Sequence, residues 1–483
     1  MGRRLRVNMI NSLILVAFSI FSQTEMSTRE EFFELSSPLD FRPDSNLPTR
    51  KYLCRTPGKY IYIILFVILM LLLGIWFLIW SFDTVEKKSR TSTIQPKIDP
   101  TSTVSNCNKR VVGYYSRSET SKITSVQVSK LTHAVFAFVY MNSDGTLKFE
   151  KQDEEDRFMQ LKDIVNMGTS PVKIMISIGG KENSQNFSPV IESEYRRQIF
   201  INSILTFLKE NDLDGIDLFW EWPCSTYKSV YLHFICELKQ QLQTKDKDYI
   251  LSIVVPPPEV GGWIDGFDMN NIVQIVDFIN VFSLDYYGPT QNDFGKITGP
   301  TAPMFNGVPG RETFNVDHTS KVLSCETMQS NKFNIAIPFY TTLWENVQGP
   351  IDKIEIFRNV NKVHGKIVGQ SHMSRMIVQQ KGFVLTPYSF DNATRNAFIY
   401  NSSTKIYLTF ETDQSIVAKI EYVSEHLLGG ICIWTVDKDD EGNSQLNAIS
   451  FDGLCTTGNV PKYDCSYWNG NTLPPTQCNL TMN

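Results

Sequence analysis

Eight short apolar runs recur along the 483 residues, at 111–116, 132–140, 172–180, 215–222, 249–256, 278–286, 333–340 and 429–436. Most are followed by a stretch whose apolar residues return at helical spacing. Short continuous apolar runs suit strands covered on both faces, and their alternation with helices calls for parallel strands joined by crossovers. Eight regular units favour closure, so the predicted class is α/β, a (β/α)8 TIM barrel. A doubly wound open sheet is the competitor. One interval, at about 345–419, is too long for a single crossover. It holds β-like pieces at 382–386 and 405–410, which predicts a small α+β insertion. Apolar residues make up 42% of the chain, enough for a core of this size.

The barrel is expected over 107–455, with other kinds of sequence on either side. Residues 60–80 carry no charge and are long enough as a helix to cross a bilayer. Basic residues before them (Arg42, Arg50, Lys51, Arg55, Lys59) slightly outweigh those after (Lys87, Lys88, Arg90, Lys97, offset by Asp83 and Glu86). This predicts a cytosolic tail at 1–59, one membrane helix at 60–80, a Ser/Thr/Pro-rich stalk at 81–106, and a barrel outside the cell or in a lumen. A single-pass type II membrane protein is the expectation. Four glycosylation sequons, at Asn186, Asn392, Asn401 and Asn479, fall on that side, as do eight of the nine cysteines. A Cys-containing extension follows at 456–483. An apolar stretch at 13–21 behind Arg3, Arg4 and Arg6 resembles a signal peptide. Cleavage there would invert the topology, so an uncleaved anchor or a start at Met26 is preferred. The net charge of −5 gives nothing for nucleic acid to bind. The six histidines show no paired metal-ligand spacing, and neither a metal nor a cofactor is expected.

The segment DGIDLFWEWP at 214–223 carries the chemistry. Side chains alternate along a strand, so Asp217, Phe219 and Glu221 share one face and Leu218, Trp220 and Trp222 the other. Two carboxylates on one face, ending at a Trp-Pro turn, place an acid at the barrel mouth. The phenylalanine between them is out of character.

With its neighbours this segment resembles the glycoside hydrolase family 18 chitinases and chitinase-like proteins. VGYY (112–115) resembles the first strand of that family and THAVFAF (132–138) the second. KIMISIGG (173–180) resembles the third-strand Ser-x-Gly-Gly motif, and 214–223 the fourth-strand Asp-Gly-x-Asp-x-Asp-Trp-Glu-Tyr-Pro pattern. NVFSLDYYG (280–288) resembles the sixth-strand Met-x-Tyr-Asp motif. IPFY (337–340) with Trp344 resembles the seventh strand, and GGICIW (429–434) the eighth. The resemblance implies a substrate-assisted hydrolysis of N-acetylglucosamine polymers. A glutamate protonates the glycosidic oxygen, and the substrate's own acetamide closes on the anomeric carbon.

Carried over by position, Glu221 is the acid, Asp217 the inner aspartate, Asp285 the sixth-strand aspartate and Asp214 a structural aspartate. Trp434 is the sugar floor, with Tyr114, Phe138 and Tyr340 as lining aromatics. Other positions depart from the pattern. Phe219 replaces the aspartate that holds the acetamide, and Leu284 the tyrosine that meets its oxygen. Thr342 stands in place of an arginine, Lys181 in place of a stacking tryptophan, and Phe282 in place of the motif's methionine. The first two losses strike one function. Three readings follow: a protein that binds chitin or N-acetylglucosamine oligomers with hydrolysis lost or weakened; an active chitinase; or a protein-binding ectodomain on a barrel scaffold, its partner unknown.

Overall fold

The computed structural model describes residues 108–455, apart from 169–170 and 246, together with 463–466. The tail, the apolar segment 60–80, the stalk and Asn479 lie outside the described residues. Among the described residues no helix is long and apolar enough to cross a membrane.

Eight parallel strands form the core: β1 (Arg110–Ser116), β2 (His133–Met141), β3 (Lys173–Gly179), β4 (Gly215–Phe219), β5 (Ile250–Val255), β6 (Phe278–Val281), β7 (Phe333–Pro338) and β8 (Gly430–Trp434). Each pairs with the next, and β1 pairs with both β2 and β8, so the sheet closes. This is the (β/α)8 barrel that the eight apolar runs predict, and closure leaves the parallel sheet no open edge. β4 is buried along its whole length because one face meets the helices and the other the barrel interior.

The crossovers are α1 (Ser125–Ser129), α2 (Gln152–Met167), α3 (Glu194–Glu210), α4 (Lys228–Gln243), α5 (Met269–Ile275), α6 (Val316–Thr327) and α7 (Asp413–Glu425). Their ends follow from local chemistry. Ser193 caps α3 by accepting the Arg196 amide, Asn315 caps α6, and Thr412 with Ser415 forms a capping box on α7. α3 buries Phe200, Ile204 and Leu208, one side chain per turn on the face toward the barrel.

Between β7 and α7 lies the insertion. Its five-stranded antiparallel sheet runs in the order Gly369–Met373, Thr341–Trp344, Ile406–Phe410, Asn396–Asn401, Ser389–Asp391, and a separate hairpin pairs Val347–Ile351 with Ile354–Val360. The inserted strands therefore begin at Thr341 and end at Phe410. Helix α7, which the sequence pattern cut at about 419, belongs to the barrel. The apolar rhythm misses the start because Thr341–Trp344 follows β7 with only Phe339 and Tyr340 between.

Cys325 on α6 is bonded to Cys465 in the extension, 140 residues away. Cys224 and Cys455 are also disulfide-bonded. Cys432, on β8, is instead a buried thiol. A run of eight cysteines in sequence does not distinguish the bridged ones from one that faces the barrel core. Asn392 and Asn401 are exposed, whereas Asn186 is half-buried and its side-chain amide donates to the Met141 carbonyl at 2.7 Å.

Candidate active site

The interior of the barrel is layered. In the deep layer Asp217, fully buried, stands in register with Ser177 on β3 and Ser252 on β5. Ser177 donates to its Oδ2 at 2.7 Å and Ser252 to its Oδ1 at 2.6 Å. The Tyr114 hydroxyl donates to Oδ2 at 3.0 Å, and Asn280 reaches Oδ1 at 3.5 Å. The network continues across the barrel. Asn280 donates to the Tyr114 oxygen at 2.7 Å, Asn334 to Asn280 at 2.8 Å, and Arg110 to Asn334 at 3.0 Å. Burial pushes the Asp217 carboxyl above its usual range despite these donors. Burial and the nearby Asp217 together push the Tyr114 hydroxyl upward. Tyr114 thus lies inside the array, with its hydroxyl engaged from both sides.

Two residues further along β4 the layer is aromatic. Phe219 is 1% exposed. Its ring lies 5.2 Å from Phe282, 5.5 Å from Phe138, 5.7 Å from Trp434 and 5.7 Å from Trp222, centroid to centroid. Trp434 is 8% exposed, covered by Phe138, Phe282 and Tyr114 as well as Phe219. Leu284 is buried. The β3 end fits closely here. Gly179 has φ +119, and a Cβ on it would meet the Phe219 carbonyl oxygen at 2.1 Å. Only glycine takes that backbone at that distance.

Glu221 sits at the rim, half-buried, its amide donating to the Ser184 hydroxyl at 2.7 Å. Trp222, beside it, stacks on Trp263 of the loop after β5 with centroids 6.1 Å apart. Lys181 is exposed just past β3. Thr342 is buried in the inserted sheet, 3.3 Å from the Thr301 hydroxyl. Asp214 lies outside the array, where it accepts the Ile174 amide at 2.9 Å and ties β4 to β3.

Asp285, after β6, has φ +58. Tyr340 donates to its Oδ1 at 2.6 Å, and the His372 Nε2 lies 3.1 Å from its Oδ2. Tyr340 and His372 stack with centroids 4.0 Å apart. Burial, then Asp285, raises the Tyr340 hydroxyl. Nearby on the rim, Glu259 of the β5 loop accepts a hydrogen bond from Thr319, and burial raises its carboxyl to about 7.

A sequence profile of the glycosyl hydrolases family 18 matches residues 110–439, from β1 to just past β8. The chain belongs to glycosyl hydrolase family 18. It is similar to Chitinase 1 of Aphanocladium album, 22% identical over 377 residues, covering 73% of this chain and 85% of that one. It is 27% identical over 322 residues to Chitinase A1 of Niallia circulans, covering 61% of this chain and 44% of that longer relative. Chitinase-3-like protein 2 of Homo sapiens is 24% identical over 356 residues, covering 68% and 86% of the two chains. Among solved structures, the Group IV chitinase of Ostrinia furnacalis superposes with a TM-score of 0.61 at 21% identity, covering 72% of this chain and all of that one. Human YKL-39, described as a pseudo-chitinase with retained chitooligosaccharide binding properties, superposes at 0.60 with 21% identity, covering 72% and 97%.

Within this family 18 barrel the structure gathers Asp217 and Tyr114 in one layer, and Phe138, Phe219, Phe282 and Trp434 in the next. Asp285 and Tyr340 form a third group. Sequence reading missed Ser252, Asn280, Asn334, Trp263 and His372. Ser252 and Asn280 sit on apolar runs as isolated polar residues, a signal that was there to find. His372 lies in the insertion and becomes a neighbour of Asp285 only through sheet pairing.

Proposed function

We propose that this is a chitinase-like protein in which hydrolysis is lost and binding of N-acetylglucosamine oligomers is kept. The packing of Phe219 carries the reading. The family's mechanism needs an acetamide held and its developing positive charge stabilised beside the acid. Here that position is a phenylalanine ring wedged among four other rings. It offers neither acceptor nor charge, and Leu284, where the family has a tyrosine, offers no hydroxyl. One lost transition-state partner costs roughly 10²–10³ in rate. Two cost on the order of 10³–10⁶, because their effects do not simply multiply. Glu221 remains at the rim, but a general acid alone does not orient the internal nucleophile. The description of human YKL-39 supports the pairing of lost catalysis with kept binding in one fold.

A second reading has its own observation. Trp434, the sugar floor by resemblance, is only 8% exposed. A covered floor favours a barrel that serves as scaffold for a protein partner.

The uncharged segment 60–80 and the Cys325–Cys465 bridge support a type II anchor with the barrel in an oxidising compartment. Glycosidase-sensitive mass at the exposed Asn392 and Asn401 is the check, and a cytosolic, unglycosylated barrel contradicts it.

Hydrolysis and binding of an N-acetylglucosamine trimer by the full-length chain, beside Glu221→Gln, separate the readings. Binding without turnover in either protein is the expected result. Turnover that vanishes in Glu221→Gln makes the chain an active chitinase. Intact folding with no trimer affinity leaves the scaffold reading.

A further inference from the structure

Thr342, where the family pattern has an arginine, follows two residues after Tyr340, whose hydroxyl donates to Asp285, and Asp285 has a second partner from the inserted sheet. The strand Gly369–Met373 runs antiparallel to Thr341–Trp344, with Met373 opposite Thr341 and Gln370 opposite Leu343. The register slips between these pairs, and His372 lies in the slip with φ +59. Bulges of this kind re-aim a side chain. Here the irregularity brings imidazole onto Asp285 and flat against Tyr340. Two non-glycine residues in left-handed backbone, Asp285 and His372, therefore meet side chain to side chain.

Both oxygens of Asp285 are engaged, one by Tyr340 and one by His372. Asp285 occupies the Nε2 side of the ring; in the neutral imidazole with its proton on Nε2, the other ring nitrogen is an acceptor. That nitrogen, Nδ1, is buried and has no hydrogen-bond partner among the described residues, and the His372 side chain is 7% exposed. A buried polar atom left without a partner is unfavourable, and a ligand group that bonds to it relieves that cost. Asp285 and Tyr340 follow β6 and β7 at the C-terminal rim, where barrels of this kind bind their ligands.

We infer that His372 is a ligand-binding residue: Asp285 and Tyr340 hold its imidazole so that Nδ1 accepts a hydrogen bond from a hydroxyl or amide N–H of an amino-sugar ring. Asp285 is then a positioning residue. This assignment rests on the amino-sugar reading above.

The test uses the full-length chain and the N-acetylglucosamine trimer, with calorimetric affinity and thermal unfolding read together. In His372→Gln the side-chain amide still reaches Asp285 but nothing stands at the Nδ1 position. Affinity should fall about tenfold with little change in melting temperature. His372→Asn puts an amide oxygen near the Nδ1 position and should keep affinity within about threefold of native. In the native chain, with ¹⁵N-labelled histidine, the Nδ1 resonance of His372 should move on adding trimer. Native trimer binding with unchanged affinity in His372→Gln and a still Nδ1 resonance overturns this assignment and leaves amino-sugar binding standing. No trimer binding by the native chain overturns the binding reading and this assignment with it.

Discussion

Asp217 and Phe219 stand two residues apart on β4 and face the same barrel interior, yet their surroundings differ in kind. Asp217 meets three hydroxyls and an amide drawn from β1, β3, β5 and β6. Phe219 meets four aromatic rings from β2, β8, the β6 end and the turn after β4. The deep layer is bound to the fold, because a buried carboxyl stripped of donors, or donors stripped of their carboxyl, destabilises the whole barrel. The upper layer has no such polar network and is filled by rings. Under the proposed loss of hydrolysis, the family's carboxylate gives way there to apolar packing while the layer below keeps the fold. On that reading, catalysis and structure separate by one step of the strand pleat.

The largest expected effect breaks the deep layer. Asp217→Leu leaves Tyr114, Ser177 and Ser252 without their shared acceptor. It should cost about 4 kcal/mol in urea unfolding. A cost near 1 kcal/mol would mean that the polar array is not what keeps Asp217 in place.

Next, Phe219→Ala should cost about 3 kcal/mol through the cavity left among the rings. Phe219→Asp, which restores the family's residue, should cost no less, since its carboxylate meets aromatic carbon. It should produce no turnover while Leu284 stays. A stable, active Phe219→Asp would show that the aromatic layer is a thin covering over working machinery.

The smallest effect asks whether it is burial or the number of donors that sets the behaviour of a buried carboxyl. Glu259 is raised from 4.5 to about 7, with Thr319 as its main donor and an Oε2 that has no hydrogen-bond partner among the described residues. It holds its proton more tightly folded than unfolded. Its contribution to stability is therefore full below about pH 4.5 and lost as pH rises through about 7. His133, lowered by burial to about 4, acts in the opposite sense, losing its contribution as pH falls from 6.5 toward 4. The two oppose each other in mildly acidic solution, so the measurement is a difference. Relative to Glu259→Gln, the native chain should lose about 2 kcal/mol between roughly pH 5 and pH 7. Asp217 and His133 are common to both proteins and cancel. A flat difference would mean that the Glu259 carboxyl is solvated.

Much of this was legible in the chain. The apolar runs showed the eight strands because a parallel barrel strand is covered on both faces and must be apolar throughout. The period of two along 214–223 placed Asp217, Phe219 and Glu221 on one face, and Phe219 stood out there as the wrong kind of residue. The family resemblance implied an inner place for Asp217, although not its partners Ser252 and Asn280.

Contacts that depend on how distant segments meet were not legible. Tyr114 read as a lining aromatic, but its hydroxyl is taken up by Asp217 and Asn280. Trp434 read as the sugar floor by resemblance, and the sequence did not show that the rings around it leave little of it exposed. His372 had no signal at all, because a slip in sheet register 87 residues from Asp285 sets where its imidazole goes. Periodicity and residue type are properties of one segment, and they determined the strands and the shared face of Asp217, Phe219 and Glu221. Which hydroxyl meets which carboxyl, and which ring covers which, depend on the closure of the barrel and the pairing of the inserted sheet. Those are fixed only when all segments pack at once.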